Sequence, residues 1–218
     1  MSDLFCPATV IVARHAEAEY ETELASDDGG SLTLRGREQS RQLARSLRDR
    51  RVAAVWCSDM ARAVQTAEIV AATLDVPVQV RRGLREFGVG EFARRRFSTD
   101  LFDQAFSAWL SGDLSGGCPG AETGADVVRR VSVELNAMAD QYRGETVLVV
   151  SHAGSMKLVL PRLAGNVPAD FAAERPLDDC ATCELAVDAD GWVLRTWAGA
   201  SLTPEVPAAE RDCSPSQP

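Results

Sequence analysis

Long apolar runs are missing from this chain. None approaches the roughly 18 residues that a membrane-spanning helix requires, so no membrane partner is expected. The start, Met1-Ser2-Asp3-Leu4, lacks a basic segment followed by an apolar stretch and a small-residue cleavage site, which sets the expectation of a cytoplasmic protein. Lysine is almost absent, with Lys157 alone against 22 arginines, a bias without functional weight of its own. Zinc-type cysteine spacing is lacking too. Six cysteines are scattered along the chain, and the Cys180/Cys183 pair has no second pair to complete a metal site and does not open a helix as a redox dithiol would. They are expected to be free thiols. Positive charge is in deficit, the net being −9, which repels nucleic acid at long range. Histidine is scarcest in proportion to what it can do: there are two.

What is present suits one soluble domain. A hydrophobic share of 45% with 25% charged residues is ordinary, and 218 residues suffice for one well-buried core. The expected organisation is a single domain over 1–203, with 83–120 an excursion over the active face and 204–218 a disordered tail. Residues 8–13 are apolar on both faces, as in a buried parallel strand. A helix is expected from Thr33 to about Asp49, a strand over 52–57, and a helix capped by Ser58 or Asp59 that runs to Leu74. A strand over 76–80 follows. A capping box at Thr123 and Asp126 opens a long helix; 145–150 is a strongly apolar strand, and 154–163 a helix. Two antiparallel strands, 183–187 and 192–197, turn around Asp190-Gly191. Strands alternating with helices predict a three-layer α/β/α sandwich, its sheet mostly parallel with an antiparallel edge.

Both histidines directly follow an apolar strand: Arg14-His15 and Ser151-His152. In open α/β sheets ligands bind beyond the carboxyl ends of the strands, so both imidazoles belong to one ligand edge. Arg14 beside His15 argues against a metal and for an anion. Arg62, expected in the first helical turn after the 52–57 strand, adds a second guanidinium where backbone N–H groups already favour negative charge. A neutral imidazole can attack phosphorus while arginines hold the phosphoryl oxygens. The departing alkoxide needs a proton, for which Glu86 is the first candidate and Glu91 the second.

The ordered segments Arg14-His15-Ala16-Glu17, Thr33-Leu34-Arg35-Gly36-Arg37-Glu38-Gln39, Ser58-Asp59-Met60-Ala61-Arg62, Leu84-Arg85-Glu86 and Val149-Val150-Ser151-His152-Ala153-Gly154 resemble the histidine phosphatase superfamily, also called the phosphoglycerate mutase-like family. The resemblance extends from about residue 8 to 165. It implies a nucleophile at His15, a proton donor at Glu86 and phosphate-binding roles for Arg14, Arg62 and His152, with Ala153 at the position after the second histidine. It also implies that no metal or other cofactor is needed, and that the partner is a small phosphomonoester.

The chain departs from the family pattern at Ala16 and Ala153, where glycines are usual, and at Ala18 and Glu21. Glu17, Glu19 and Glu21 would make the rim acidic and disfavour a second phosphate. Hydrolysis is the expected reaction. A mutase that returns the phosphoryl group to a sugar acid is the first alternative, but such relatives usually carry a longer insertion, and only 65 residues lie between Glu86 and His152. A phosphohistidine or phosphoprotein phosphatase is another, and a non-catalytic phospho-ligand binder the last. The cluster Arg94-Arg95-Arg96 is a solvated face or a guide for an anionic substrate.

Overall fold

Alternation along one strand organises the molecule. In a computed structural model that describes residues 7–20, 22–188 and 191–202, strand β1 (Ala8–Arg14) sends Val10 and Val12 into one apolar cluster and Ile11 and Ala13 into another. Both faces are covered, so β1 is apolar throughout. Glu21, Asp190 and the expected tail over 204–218 lie outside the described residues.

The chain continues through β2 (Ala18–Glu19), β3 (Ser31–Leu32), α1 (Leu34–Ser46), β4 (Val52–Cys57), α2 (Ala61–Leu74) and β5 (Val78–Val80). There follow α3 (Asp100–Leu110), α4 (Gly124–Gln141), β6 (Thr146–Ser151), α5 (Ala153–Leu163), β7 (Thr182–Asp188), β8 (Gly191–Trp197) and β9 (Ala200–Ser201). Seven strands form the main sheet in the order β5-β4-β6-β1-β7-β8-β9; β2 and β3 pair separately. β5, β4, β6 and β1 run parallel, and β7, β8 and β9 add antiparallel. α1 and α2 pack Leu43, Ala44, Ala63, Ala67 and Val70 against one face, while α4 and α5 pack Val127, Val131, Leu135 and Leu158 against the other. This is the α/β/α sandwich expected, with a mixed, mostly parallel sheet.

Local chemistry explains where element ends differ from expectation. Thr33 lies outside α1 as its cap, with its hydroxyl accepting from Gly36 N–H, and α1 closes at Ser46 before a 3₁₀ turn over 48–50. β5 starts at Val78, because Asp75 takes a left-handed conformation and Val76 N–H still donates to Ala71 O of α2. Neither Ser58 nor Asp59 caps α2. Met60 is the cap residue, without a side-chain bond, since Ser58 Oγ is engaged with His152 and Asp59 with Arg85. The capping box at Thr123 and Asp126 forms as read.

The parallel strands β1, β4 and β6 all end at one edge, in register at Arg14↔Ser151 and Cys57↔Val150. His15, Ser58 and His152 therefore emerge side by side.

Candidate active site

His15 is buried, and its environment defines its tautomer. Nδ1 lies 2.8 Å from Ala16 O, which can only accept, so Nδ1 carries the proton. Nε2 accepts from Arg62 Nε–H at 3.1 Å and is therefore the bare nitrogen. Burial first and then the positive charge of Arg62 lower the His15 pKa to about 3; the bond to the Ala16 carbonyl opposes them, and Arg14 adds a smaller lowering. The imidazole is neutral throughout the physiological range.

Arg62 is buried in the first turn of α2. Besides His15 it reaches Gly29 O at 3.1 Å and Met60 Sδ at 3.5 Å, and its guanidinium lies over the Tyr20 ring. Thr66, one turn on, accepts from Ala16 N–H and donates to Arg62 O, clamping the His15 loop to α2. Arg14 is held at the start of β7 by Leu177 O at 2.7 Å and Asp179 at 3.1 Å. Its Nε is buried with no partner among the described residues.

His152 is fully buried behind His15, with ring centroids 5.2 Å apart. Its Nε2 pairs with Ser58 Oγ at 2.7 Å, and its buried Nδ1 has no partner among the described residues. Burial and the Arg62 charge hold its pKa well below the usual histidine value.

Glu86 sits against the amino end of α5, accepting from Gly154 N–H at 2.8 Å and Ser155 N–H at 2.6 Å, and from Phe87 N–H at 3.2 Å. Burial raises its pKa, while these three N–H groups and Arg62 pull the other way. Gly154 makes the docking possible: a Cβ there would stand 2.4 Å from the Phe87 ring and 2.8 Å from Glu86 Oε1.

A cavity of about 760 Å³ opens on Arg14, His15, Arg62, Glu86, Ala153 and Gly154. His152 lies beneath its lining. Glu91, the second acid candidate, lies outside it on an exposed 3₁₀ turn. The rim acids also differ from expectation. Glu17 is committed to the Thr33 hydroxyl and to Arg35, and Glu19 on β2 is not at the cavity. Its acidic lining comes instead from Glu23, Asp27 and Asp103, besides Glu86. The arginine cluster is exposed, Arg96 pairing with Glu23 and Arg95 lying over the Phe92 ring.

Two neutral imidazoles, two guanidinium groups and a half-buried carboxyl thus meet at one strand edge, in the order of the sequence motifs. The profile of the histidine phosphatase superfamily (branch 1) matches residues 10–199. The chain belongs to this superfamily. Phosphoglycerate mutase-like protein 4 of Arabidopsis thaliana is 26% identical over 201 residues, 89% of this chain and 86% of that one. The α-ribazole phosphatase of Shigella flexneri superposes with a TM-score of 0.70 at 26% identity, covering 90% of this chain and 99% of that one. A mycobacterial glucosyl-3-phosphoglycerate phosphatase shares the fold at 24% identity and TM-score 0.71, covering 89% of this chain and all of that one.

Several supporting residues of this superfamily member escaped the sequence reading. Ser58, at a position that suggests a helix cap, holds His152 instead. Arg130 of α4 donates to the carbonyls of Gly83, Arg85 and Glu86 and forks onto Glu122, so it fixes the acid loop from behind. Its signal was position, three residues after buried Val127 on the flank of the apolar stripe. Asp179 sits just before β7, whose antiparallel direction brings its start beside the end of β1.

Proposed function

We propose that this protein is a phosphomonoester phosphatase that works through a phosphohistidine on His15. The observation that supports it most is the tautomer of His15: a buried neutral imidazole, proton on Nδ1, with Nε2 facing cationic donors. A buried N–H without a partner costs about 1–3 kcal/mol, and Arg14 Nε, in the cavity lining, is such a group among the described residues. A phosphoryl oxygen would satisfy it.

The substrate dianion draws Arg62 from Nε2 to its own oxygens, where charge-assisted bonds are stronger. Release of the lone pair is thereby tied to arrival of the anion. Nε2 forms a bond to phosphorus as the ester P–O bond breaks, and Glu86 gives its proton to the departing oxygen. A carboxyl has about four lone-pair sites. Oε1 accepts from Phe87 and Ser155, and Oε2 from Gly154 alone, so Oε2 keeps the site that carries the proton. The second step runs in reverse: water attacks phosphorus, the N–P bond breaks, and Oε2 takes the water's proton.

The test is hydrolysis of p-nitrophenyl phosphate by wild type and His15→Ala, with acid and alkaline quenching of the enzyme during turnover. The expected results are loss of phosphate release in the variant and a trapped phosphoryl group that survives alkali but not acid. Activity retained in His15→Ala would refute the mechanism. Transfer of the phosphoryl group between acceptors without net phosphate release would favour a mutase.

A further inference from the structure

We propose that the leaving group accepted here is an uncharged alcohol bearing an aryl or bulky alkyl group; this names the substrate class and rests on the hydrolase reading above. Three features of the cavity support it: its wall, its rim and its charges.

One wall of the cavity is aromatic. Phe87, Phe102 and Phe106 line the cavity, with Phe87 5.6 Å from Phe102 and 5.9 Å from Phe106 between ring centroids. The spacing is that of edge and tilted ring packing, which a further ring can extend. Trp109 backs Phe87 at 5.2 Å, and its indole N–H is held by Gly116 O, so the wall is anchored from behind.

The rim is apolar where a surface should be polar. Phe97, Tyr20 and Leu24 are 57%, 51% and 44% exposed, and all three line this cavity. Scattered exposed apolar side chains need no explanation, but three gathered around one opening mark a contact for an apolar ligand. Backbone pairing brings them together: Ala25 N–H donates to Arg95 O and Phe97 N–H to Glu23 O, tying the 23–25 segment to the 94–97 segment.

The charges exclude the alternative. Arg14 and Arg62 are directed at the phosphoryl group, and the remaining cation in the lining, Arg96, is paired with Glu23 at 3.2 Å. Asp103 lines the wall without a cationic partner among the described residues, and Asp27 accepts from Val89 N–H. A carboxylate or second phosphate on the leaving group would find no unpaired cation here and would face Asp103. A cavity of about 760 Å³ exceeds what a phosphoryl group and a three-carbon acid would fill.

The experiment compares kcat/KM for 3-phenylpropyl phosphate, propyl phosphate and 3-phosphoglycerate with the wild-type chain. The two simple alcohols have similar acidity, so chemistry is matched and the pocket is read alone. The expected result is about tenfold or more in favour of the phenylpropyl ester over each of the others. Phe102→Ala should bring the phenylpropyl-to-propyl ratio towards unity, and Phe97→Ser, at an exposed position, should lower it in a chain that folds. Hydrolysis of 3-phosphoglycerate as fast as the phenylpropyl ester would overturn the substrate class and leave the hydrolase intact. So would a ratio unmoved by both variants. Release of phosphate from none of the esters would overturn the hydrolase reading instead. Binding of 3-phenylpropylphosphonate against propylphosphonate then judges the pocket: tenfold tighter binding of the former supports the apolar site, and equal binding refutes it.

Discussion

Gly154→Ala should disable Glu86, the proposed general acid, while leaving the fold in place. Gly154 lies in the first turn of α5, so alanine recovers at most about 1 kcal/mol of glycine's helix penalty. Overpacking a tight site costs about 1–3 kcal/mol, so the net loss of stability is modest. The local effect is larger. The new methyl carbon would stand 2.4 Å from Phe87 Cε1 and 2.8 and 3.0 Å from the two Glu86 oxygens. Carbon atoms pack at roughly 3.5–4.0 Å, so something must retreat by about 1 Å. Phe87 has little room, being packed against Trp109, Phe102 and Phe106. Glu86 moves, and its bonds from Gly154 and Ser155 N–H stretch or break. A misplacement of about 1 Å can cost roughly 100-fold. An alkyl phosphate needs the proton from Glu86; p-nitrophenyl phosphate, with its acidic leaving group, hardly does. Expected, therefore, is a fall in kcat/KM of about 100-fold on propyl phosphate and less than about tenfold on p-nitrophenyl phosphate. Glu86→Gln should show the same divergence, and the double variant should be no worse than the poorer single one, because both remove one function. Loss of equal size on both substrates would refute the reasoning, as would unimpaired hydrolysis of the alkyl ester.

Three further outcomes follow from the geometry. His15 has a folded-state pKa of about 3 against 6.5 unfolded, so between these values the unfolded chain binds the extra proton and stability falls as pH falls. Urea unfolding at pH 7.5 and pH 5 should show His15→Gln losing about 2 kcal/mol less than wild type over that interval, from 1.5 pH units at about 1.36 kcal/mol each; equal losses would contradict a buried neutral imidazole. Ser58→Ala strips His152 of its side-chain partner and should lower kcat/KM by roughly 5- to 150-fold, the equivalent of about 1–3 kcal/mol, with Ser58→Thr recovering part of it; a silent Ser58→Ala would mean that packing alone aims His152. Replacing Arg94, Arg95 and Arg96 with serine should leave the salt dependence of kcat/KM unchanged, since all three are exposed and Arg96 is already paired; a flattened dependence would restore the steering role.

The parts of this site that were legible in the sequence share one property: each lies where a local pattern changes period. Val10, Ile11, Val12 and Ala13 announce a strand buried on both faces, so the polar pair after it must be at an end, and the same holds for Ser151-His152 after Val147–Val150. Parallel strands end at one edge, which is enough to bring His15, His152 and the start of α2 together. The unread parts are those whose partners are remote in the chain. Whether Ser58 caps its own helix or holds an imidazole 94 residues away depends on competition between two bonds, and the spacing that suggests a cap is silent about the rival. Nor does any local signal show that Glu86 docks on the amino end of α5, 68 residues on.

Carboxyl ends mark the ligand edge only for parallel strands, whereas Leu177 and Asp179 precede an antiparallel one. β7 runs against β1, and the pairing Ala13↔Thr182 brings the beginning of β7 to the end of β1. An antiparallel strand added to a parallel sheet delivers its amino end to the ligand edge, together with the turn before it. There the Leu177 carbonyl and the Asp179 carboxylate take hydrogens of Arg14 NH1 and NH2 and leave Nε free. A guanidinium held by two groups behind it surrenders rotamer freedom before an anion arrives, so less is lost on binding. The antiparallel edge is thus part of the proposed phosphate site as well as the border of the sheet.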